Sequence, residues 1–425
     1  MASWLGCIEG YYGTPYTHEQ RRAFMSWMAT EGLNVFAYAP KDDPFHRHRW
    51  REPYPDAELE AFADLAAHGK DVGVDFCFTI SPGLDWADGD EPVLAEKLRQ
   101  IAATGCTSFG VLWDDVPPGD TELGAAHAKG TMAALEGVGA GRWWTVGTDY
   151  ALGGPTPYLQ GLADGLSDDV TVAWTGPWVV PPHISGAETE ALADAVGRKL
   201  LLWENFPVND GPMGGVLHLG PYPARDPAMV DASAGVLFNT MQTPIASRIG
   251  VACGARFWRD PSSDREATWR EVVASYPGLL PLAKASRSWV ATPGPDEELV
   301  EWADAASADD RRLREFLDAG CRDGLDGALA DEVGPWLDAW EAEAQAMQMC
   351  LDILERGYRS GPRGIAGGVL LERARKNAQQ LFGIRLAVYP VMQQRGKETT
   401  ASEYATAMGE NLSDRLARRV LKAPT

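Results

Sequence analysis

Asp114 and Asp115 stand side by side at the end of the apolar run Ser108-Phe-Gly-Val-Leu-Trp113. A strand that delivers two carboxyls together at its C-terminal tip is unusual. Neighbouring like charges raise one pKa, so one acid stays protonated near neutrality while the other ionises. One protonated and one ionised carboxyl suit acid-catalysed cleavage of a glycosidic bond. The other reading is a helix cap or a turn formed with Pro117-Pro118-Gly119, which short acidic side chains also favour.

The elements that must position this pair repeat one rhythm up to about residue 260: a short apolar run, a polar or glycine-rich tip, then an amphipathic stretch. The runs are Trp4–Ile8, Asn34–Tyr38, Val74–Ile80, Ser108–Trp113, Trp143–Gly147, Val170–Trp174, Lys199–Trp203 and Gly235–Phe238. Continuous apolar runs fit strands buried on both faces of a parallel sheet, and stretches such as Thr17–Glu31, Asp56–Asp71 and Pro92–Thr104 have helical spacing and length. Eight such units predict an α/β chain folded as a closed (β/α)8 (TIM) barrel, which brings all eight polar tips to one mouth. A doubly wound open sheet is the alternative and would not converge them. Beyond about Pro281 the strand-like runs stop. Asp309–Ala319, Asp331–Arg356, Gly367–Gln394 and Ser402–Leu421 then read as helices, the second with Trp336, Trp340, Ala344, Met347, Leu351 and Leu354 on one stripe. The expected division is a barrel over residues 1–280 and a helical bundle over 281–425. The stripe reads first as bundle core, and secondly as an apolar edge through which two subunits could pair as a homodimer.

Composition excludes several function classes. The 425 residues hold 60 acidic against 38 basic side chains, a net charge of -22, with no basic cluster interleaved with aromatics. A nucleic acid or hyaluronan partner is therefore not expected. Cys7, Cys77, Cys106, Cys253, Cys321 and Cys350 are scattered and read as buried free thiols of a cytoplasmic protein. No run approaches the ~18 apolar residues of a membrane span, and the N-terminus lacks the pattern of a signal peptide. His46 and His48 beside Asp42 and Asp43 invite a metal reading, but the i, i+2 spacing among arginines favours ion pairing. Asp42, Asp43, Arg47, Arg51 and Glu52 are expected to form one charged network behind Lys41. Gly137–Gly141 lacks the lysine of a phosphate loop. No cofactor and no metal are expected.

Several long motifs carry a resemblance. Gly6-Cys-Ile-Glu-Gly-Tyr-Tyr-Gly-Thr-Pro15, Tyr38-Ala-Pro-Lys-Asp-Asp-Pro-Phe-His-Arg47, Trp50-Arg-Glu-Pro-Tyr54, Ser81-Pro-Gly-Leu-Asp85 and the aspartate pair are similar to the catalytic barrel of glycoside hydrolase family 84. Trp174-Thr-Gly-Pro177, Trp203-Glu-Asn-Phe-Pro-Val-Asn-Asp210, Leu219-Gly-Pro-Tyr222 and Gly235-Val-Leu-Phe-Asn239 continue in the family's order. The family comprises β-N-acetylglucosaminidases, including protein O-GlcNAcases. The resemblance covers roughly residues 5 to 260, and the C-terminal third resembles the family's helical appendage only in character and position.

A retaining glycosidase usually sets two carboxyls about 5 to 5.5 Å apart across the scissile bond, whereas adjacent residues approach from one strand tip. A direct carboxylate nucleophile is awkward there. The variant in which the sugar's own 2-acetamido oxygen attacks the anomeric carbon, forming an oxazoline, removes the difficulty. The resemblance implies that Asp114 accepts the acetamido N–H and that Asp115 is general acid and then base, its pKa lifted by its neighbour. It further implies that the Gly13 carbonyl and Lys41 hold the 3- and 4-hydroxyl side, that Tyr150 and Asn205 steady the acetamido region, that Trp203 walls the methyl group, and that Asp210 and Asn239 grip the 4- and 6-hydroxyls. The sequence departs from the family at Val146, where some members carry cysteine, and at Phe206-Pro207; both could reshape the pocket wall. The expected function is a retaining exo-β-N-acetylglucosaminidase acting on β-GlcNAc glycosides of glycoproteins, cell-wall fragments or small metabolites. An inactive, lectin-like GlcNAc-binding protein and an endo-acting hyaluronidase are the alternatives. The chain starts almost at the first strand, which fits a compact intracellular exo-enzyme.

Overall fold

The computed structural model describes residues 4–356 apart from 214, 288, 290–295, 306–310 and 320–321, together with 389–395, 398–404 and 416. The eight apolar runs form β1 (Trp4–Glu9), β2 (Val35–Tyr38), β3 (Asp75–Ile80), β4 (Ser108–Leu112), β5 (Arg142–Val146), β6 (Val170–Trp174), β7 (Leu201–Glu204) and β8 (Gly235–Asn239). They pair in sequence order, all parallel, and close into a barrel through β1 and β8. The helices between them are α1 (His18–Thr30), α2 (Asp56–Val72), α3 (Glu91–Ala102), α4 (Thr121–Val138), α5 (Pro157–Gly165), α6 (Gly186–Val196) and α7 (Ala228–Ala232); α8 (Pro244–Arg259) follows β8. The open-sheet alternative is thereby excluded.

Local sequence explains several boundaries. Thr17 and Gln20 form a reciprocal capping box at the start of α1, which satisfies two otherwise orphaned N–H groups. β7 begins two residues later than its apolar run, and just before that run the Arg198 guanidinium donates to the carbonyls of Ala163, Leu166, Ser167 and Val170. Closure of the barrel requires glycine at 235, where φ is 140° and a Cβ would lie 1.9 Å from the Trp4 carbonyl oxygen. One apolar cluster containing Ile8, Ala37, Cys77, Leu112, Trp144, Ala173 and Leu237 comes from alternate strand positions and fills the barrel interior, while a larger one joins the strands to the surrounding helices.

The C-terminal segment is helical over α9 (Arg265–Ala274), α10 (Leu280–Ala285), α11 (Glu297–Ala305), α12 (Arg311–Asp318), α13 (Gly327–Glu332) and α14 (Gly334–Arg356). Trp340, Ala344, Met347 and Leu351 of the expected stripe are buried, and Trp336 is partly buried; the Leu354 side chain lies outside the described residues. The expectation of helix does not hold over 389–394 and 402–404. Those residues belong to an antiparallel pair, β9 (Tyr389–Arg395) with β10 (Glu398–Tyr404). Val391, Thr399, Thr400 and the terminal tyrosines are β-branched or aromatic and fit a pleated surface better than a helix. The rest of the two expected C-terminal helices lies outside the described residues. Cys7, Cys77, Cys106, Cys253 and Cys350 are free and buried; Cys321 also lies outside them. Among the described residues no helix is long and apolar enough to cross a membrane.

Candidate active site

The C-terminal tips of the strands surround a pocket of about 290 Å³ lined by Gly10, Tyr12, Lys41, Asp114, Asp115, Val146, Tyr150, Trp203, Asn205, Asp210 and Asn239, with Thr175, Val179, Val180, Val208, Gly211 and Met213 completing its wall. That volume is at the low end for small-molecule sites, roughly 300–1,000 Å³, and matches one sugar ring better than a chain of them.

Two carboxyls on consecutive residues reach one pocket because the chain leaves β geometry between them. In a strand, neighbouring side chains point to opposite faces. Asp115 has φ 59°, in the left-handed region that aspartate enters more readily than most residues. The turn sends both side chains inward. Helix α4 is capped not by this pair but by Asp120, which accepts from the Leu123 N–H, so the aspartates are free of that structural task.

Asp114 is buried. One of its oxygens takes a short hydrogen bond from Lys41 Nζ, and the other, Oδ1, has no partner within the protein. Burial raises the Asp114 pKa, with the Asp115 charge adding to it and Lys41 opposing it. Asp115 sits nearer the mouth. Tyr12 Oη donates to its Oδ2 at 2.6 Å and Tyr150 Oη to its Oδ1 at 2.9 Å, while Lys41 Nζ lies 3.5 Å and Arg47 3.8 Å away. Burial pushes the Asp115 pKa up, but Lys41, the two phenols and Arg47 together outweigh it and hold this carboxyl below its ordinary value. The direction expected from adjacency alone is thus reversed. The like-charge effect falls on the more buried Asp114, because Asp115 has four donors or cations around it.

The opposite wall is fixed by amide pairs. Asn239 accepts from the Gly10 N–H at 3.1 Å and donates to Asn205 Oδ1 at 2.9 Å; the same oxygen accepts from Trp203 Nε1 at 3.1 Å, and Asn205 Nδ2 donates to the Val179 carbonyl. Asp210 accepts from the Tyr12 N–H at 2.9 Å, and burial raises its pKa. Lys41 Nζ also lies 5.6 Å from the centre of the Trp203 ring.

Eight of the nine residues expected from sequence therefore line one pocket. Gly13 does not: its N–H donates to Asp42, and a Cβ there would meet Gln242. On that loop the glycine that lines the pocket is Gly10. Sequence reasoning also passed over Tyr12, although its place between two glycines of a strand tip is the signal that could have found it. The charged residues behind Lys41 do not form one network. Asp42 holds the Gly13 N–H; Asp43 accepts from Tyr38, Tyr54 and the N–H groups of Phe45 and His46; Arg47 donates to Tyr12; Arg51 pairs with Asp85 and Asp90; and Glu52 pairs with Arg49. His46 is buried against Thr79, Nε2 to Oγ1 at 2.8 Å. Among the described residues no cluster of three His, Cys, Asp or Glu side chains is placed to hold a metal ion.

The profile of the family described as beta-N-acetylglucosaminidase matches residues 5–289, most of the chain. The chain belongs to this family, glycoside hydrolase family 84. It is 31% identical over 252 residues to proteins named protein O-GlcNAcase from Rattus norvegicus and from Mus musculus, an alignment that takes in 55% of this chain and 27% of each of theirs. The chain thus spans about a quarter of the length of those relatives. An O-GlcNAc hydrolase variant from Thermobaculum terrenum superposes with a TM-score of 0.80 over 99% of this chain and 93% of its own, at 23% identity, which shows the shared fold. A solved structure named CpGH84B aligns with a TM-score of 0.76 at 25% identity, over 98% of this chain and 76% of its own.

Proposed function

We propose that this chain is a retaining exo-β-N-acetylglucosaminidase that cleaves terminal β-linked GlcNAc with the help of the substrate's own acetamido group. The observation that carries the reading is Asp114 Oδ1, a buried carboxylate oxygen with no partner in the protein, facing a pocket of one-sugar size beside a second carboxyl. A buried acceptor of this kind calls for a donor on the ligand, and an acetamido N–H supplies it. The Asp114 charge then stabilises the cation that develops as the acetamido oxygen closes on the anomeric carbon to give an oxazoline. Lys41 keeps Asp114 oriented and ionised during this step.

Asp115 is the better placed general acid, since it lies toward the mouth where a leaving group departs. Its depressed pKa is reconciled with that role by its donors. When the glycosidic oxygen takes the place of the Tyr12 hydroxyl, Asp115 loses one donor and some water, both of which favour the protonated form. The same carboxylate then activates water to open the oxazoline. Asn205 and Trp203 border the acetamido region, and Asp210 and Asn239 grip the distal hydroxyls. The name of the rat and mouse relatives, protein O-GlcNAcase, makes O-GlcNAc carried on protein the first substrate to try.

The test is hydrolysis of aryl β-GlcNAc glycosides whose leaving groups span a range of pKa, together with their N-trifluoroacetyl analogues. Substrate assistance requires turnover to fall steeply with fluorination, because the fluorines weaken the attacking carbonyl oxygen. Asp115→Asn should lose about 10²–10⁴-fold on poor leaving groups and little on the best ones. Equal rates for the two acyl groups would sink the oxazoline route, and an inert wild type that still binds GlcNAc would move the assignment to a lectin.

A further inference from the structure

We propose that Tyr158 and His127, neither of which lines the pocket, are positioning residues that set Tyr150 against the acid Asp115; the proposal rests on the acid role just given. The last backbone hydrogen bond joining β4 to the β5 side among the described residues runs from the Trp113 N–H to the Val146 carbonyl. Beyond it the two tips separate, yet the Tyr150 hydroxyl must still meet Asp115 at 2.9 Å. On its far side Tyr150 is tied to the β6 tip, its carbonyl accepting from the Thr175 N–H at 2.9 Å beside the Ala151–Gly176 bridge, whereas toward β4 the span is left to side chains.

The connection runs behind the pocket. The Trp113 indole, immediately before Asp114, lies flat on His127 of α4, with ring centres 4.1 Å apart and planes at 6°. Its Nε1 donates to Thr131 Oγ1 at 3.1 Å, and that hydroxyl donates to the His127 carbonyl. On the other side His127 Nδ1 is 2.7 Å from Tyr158 Oη, and the same phenol oxygen accepts from the Thr148 N–H at 3.2 Å, two residues before Tyr150. Burial keeps His127 neutral, and the arrangement with the phenol proton on the Nδ1 side and the imidazole proton on Nε2 satisfies both contacts of the phenol oxygen. Both side chains are almost wholly buried. The Tyr158 ring is also a wedge: a Cβ at Gly147 or at Gly119 would come within 2.7 or 2.8 Å of it. It therefore touches the loop that leads to Tyr150 and the loop that leaves Asp115. One phenol holds both tips.

Tyr158→Phe removes a single oxygen and leaves the wedge, and His127→Phe removes the acceptor and leaves a ring on Trp113. Each should lower kcat about tenfold on aryl β-GlcNAc glycosides with poor leaving groups, leave KM within about twofold, and cost little on activated leaving groups, since a displaced Tyr150 weakens proton delivery rather than sugar binding. The double variant should be no worse than either single one, because both break the same chain. Val272→Ala in α9, buried but remote from the tips, calibrates a purely structural loss by its fall in Tm. A decline that is equal on all leaving groups and tracks Tm as Val272→Ala does would overturn the proposal. So would a crystal structure of Tyr158→Phe in which Tyr150 and Asp115 remain 2.9 Å apart. That distance decides the matter even if the wild type hydrolyses no β-GlcNAc glycoside, an outcome that would count against the proposed function alone.

Discussion

Asp114→Asn isolates the part of the site that carries the functional reading. The substitution keeps the shape and one acceptor oxygen but removes a charge that, on the proposed mechanism, faces the cation forming at the acetamido group. Two unit charges about 4 Å apart interact by about 4 kcal/mol at an effective dielectric near 20. The amide oxygen of asparagine retains about 1 kcal/mol of that as an ordinary hydrogen bond. The difference of about 3 kcal/mol corresponds to roughly 10² in kcat, with little change in KM because the charge on the sugar develops only in the transition state. The loss should be similar for good and poor leaving groups, unlike that of Asp115→Asn, since stabilising the ring-closing step does not depend on proton delivery. A second consequence follows from the electrostatics. Without its charged neighbour, and with Lys41 still 3.5 Å away, Asp115 ionises more easily, so the pH optimum of kcat moves to lower pH. Steady-state kinetics on two aryl glycosides across pH 4 to pH 8 read both effects. A variant that raises KM at unchanged kcat, or that loses less than about fivefold, would show that Asp114 serves binding or barrel structure rather than the developing charge.

Two further predictions concern the scaffold. Arg225 and Glu204 form a fully buried ion pair, with Tyr222 donating to the same carboxylate and Arg225 reaching the Pro181 carbonyl of the β6 loop; Arg225→Met strands Glu204 and should cost about 3–5 kcal/mol in urea unfolding, part of it restored by adding Glu204→Gln, whereas a loss under 1 kcal/mol would mean that the carboxylate finds water. Burial pushes the His127 pKa from 6.5 down to about 4. Between those values the unfolded chain binds the proton that the fold refuses, so stability rises with pH through that window and is lost as pH falls from 6.5 toward 4. The His127 contribution to this loss is about 3 kcal/mol, and His127→Phe should show a correspondingly shallower decline between pH 7 and pH 4; parallel curves for the two proteins would refute the assignment.

The sequence by itself determined the barrel and most of the pocket. Each strand is a continuous apolar run ending in polar residues, and a parallel barrel is the arrangement that buries such runs on both faces while gathering their tips. The strand tips single out Asp114 and Asp115, while the family resemblance picks Lys41, Tyr150, Trp203, Asn205, Asp210 and Asn239 from the other tips and implies all of their roles. The tertiary structure decided matters that depend on distances between tips. It chose Gly10 over Gly13, because two glycines three residues apart on one loop differ only in which way the backbone turns. It brought Tyr12 across to Asp115 and Asp210, contacts spanning 103 and 198 positions of sequence. It reversed the expected pKa direction of Asp115, since the number of donors around a carboxyl cannot be counted along a chain. It also set Tyr389–Arg395 and Glu398–Tyr404 as paired strands, against the helical spacing read over 389–394 and 402–404. Periodicity reports which face is buried, whereas a partner strand satisfies backbone groups that no periodicity displays.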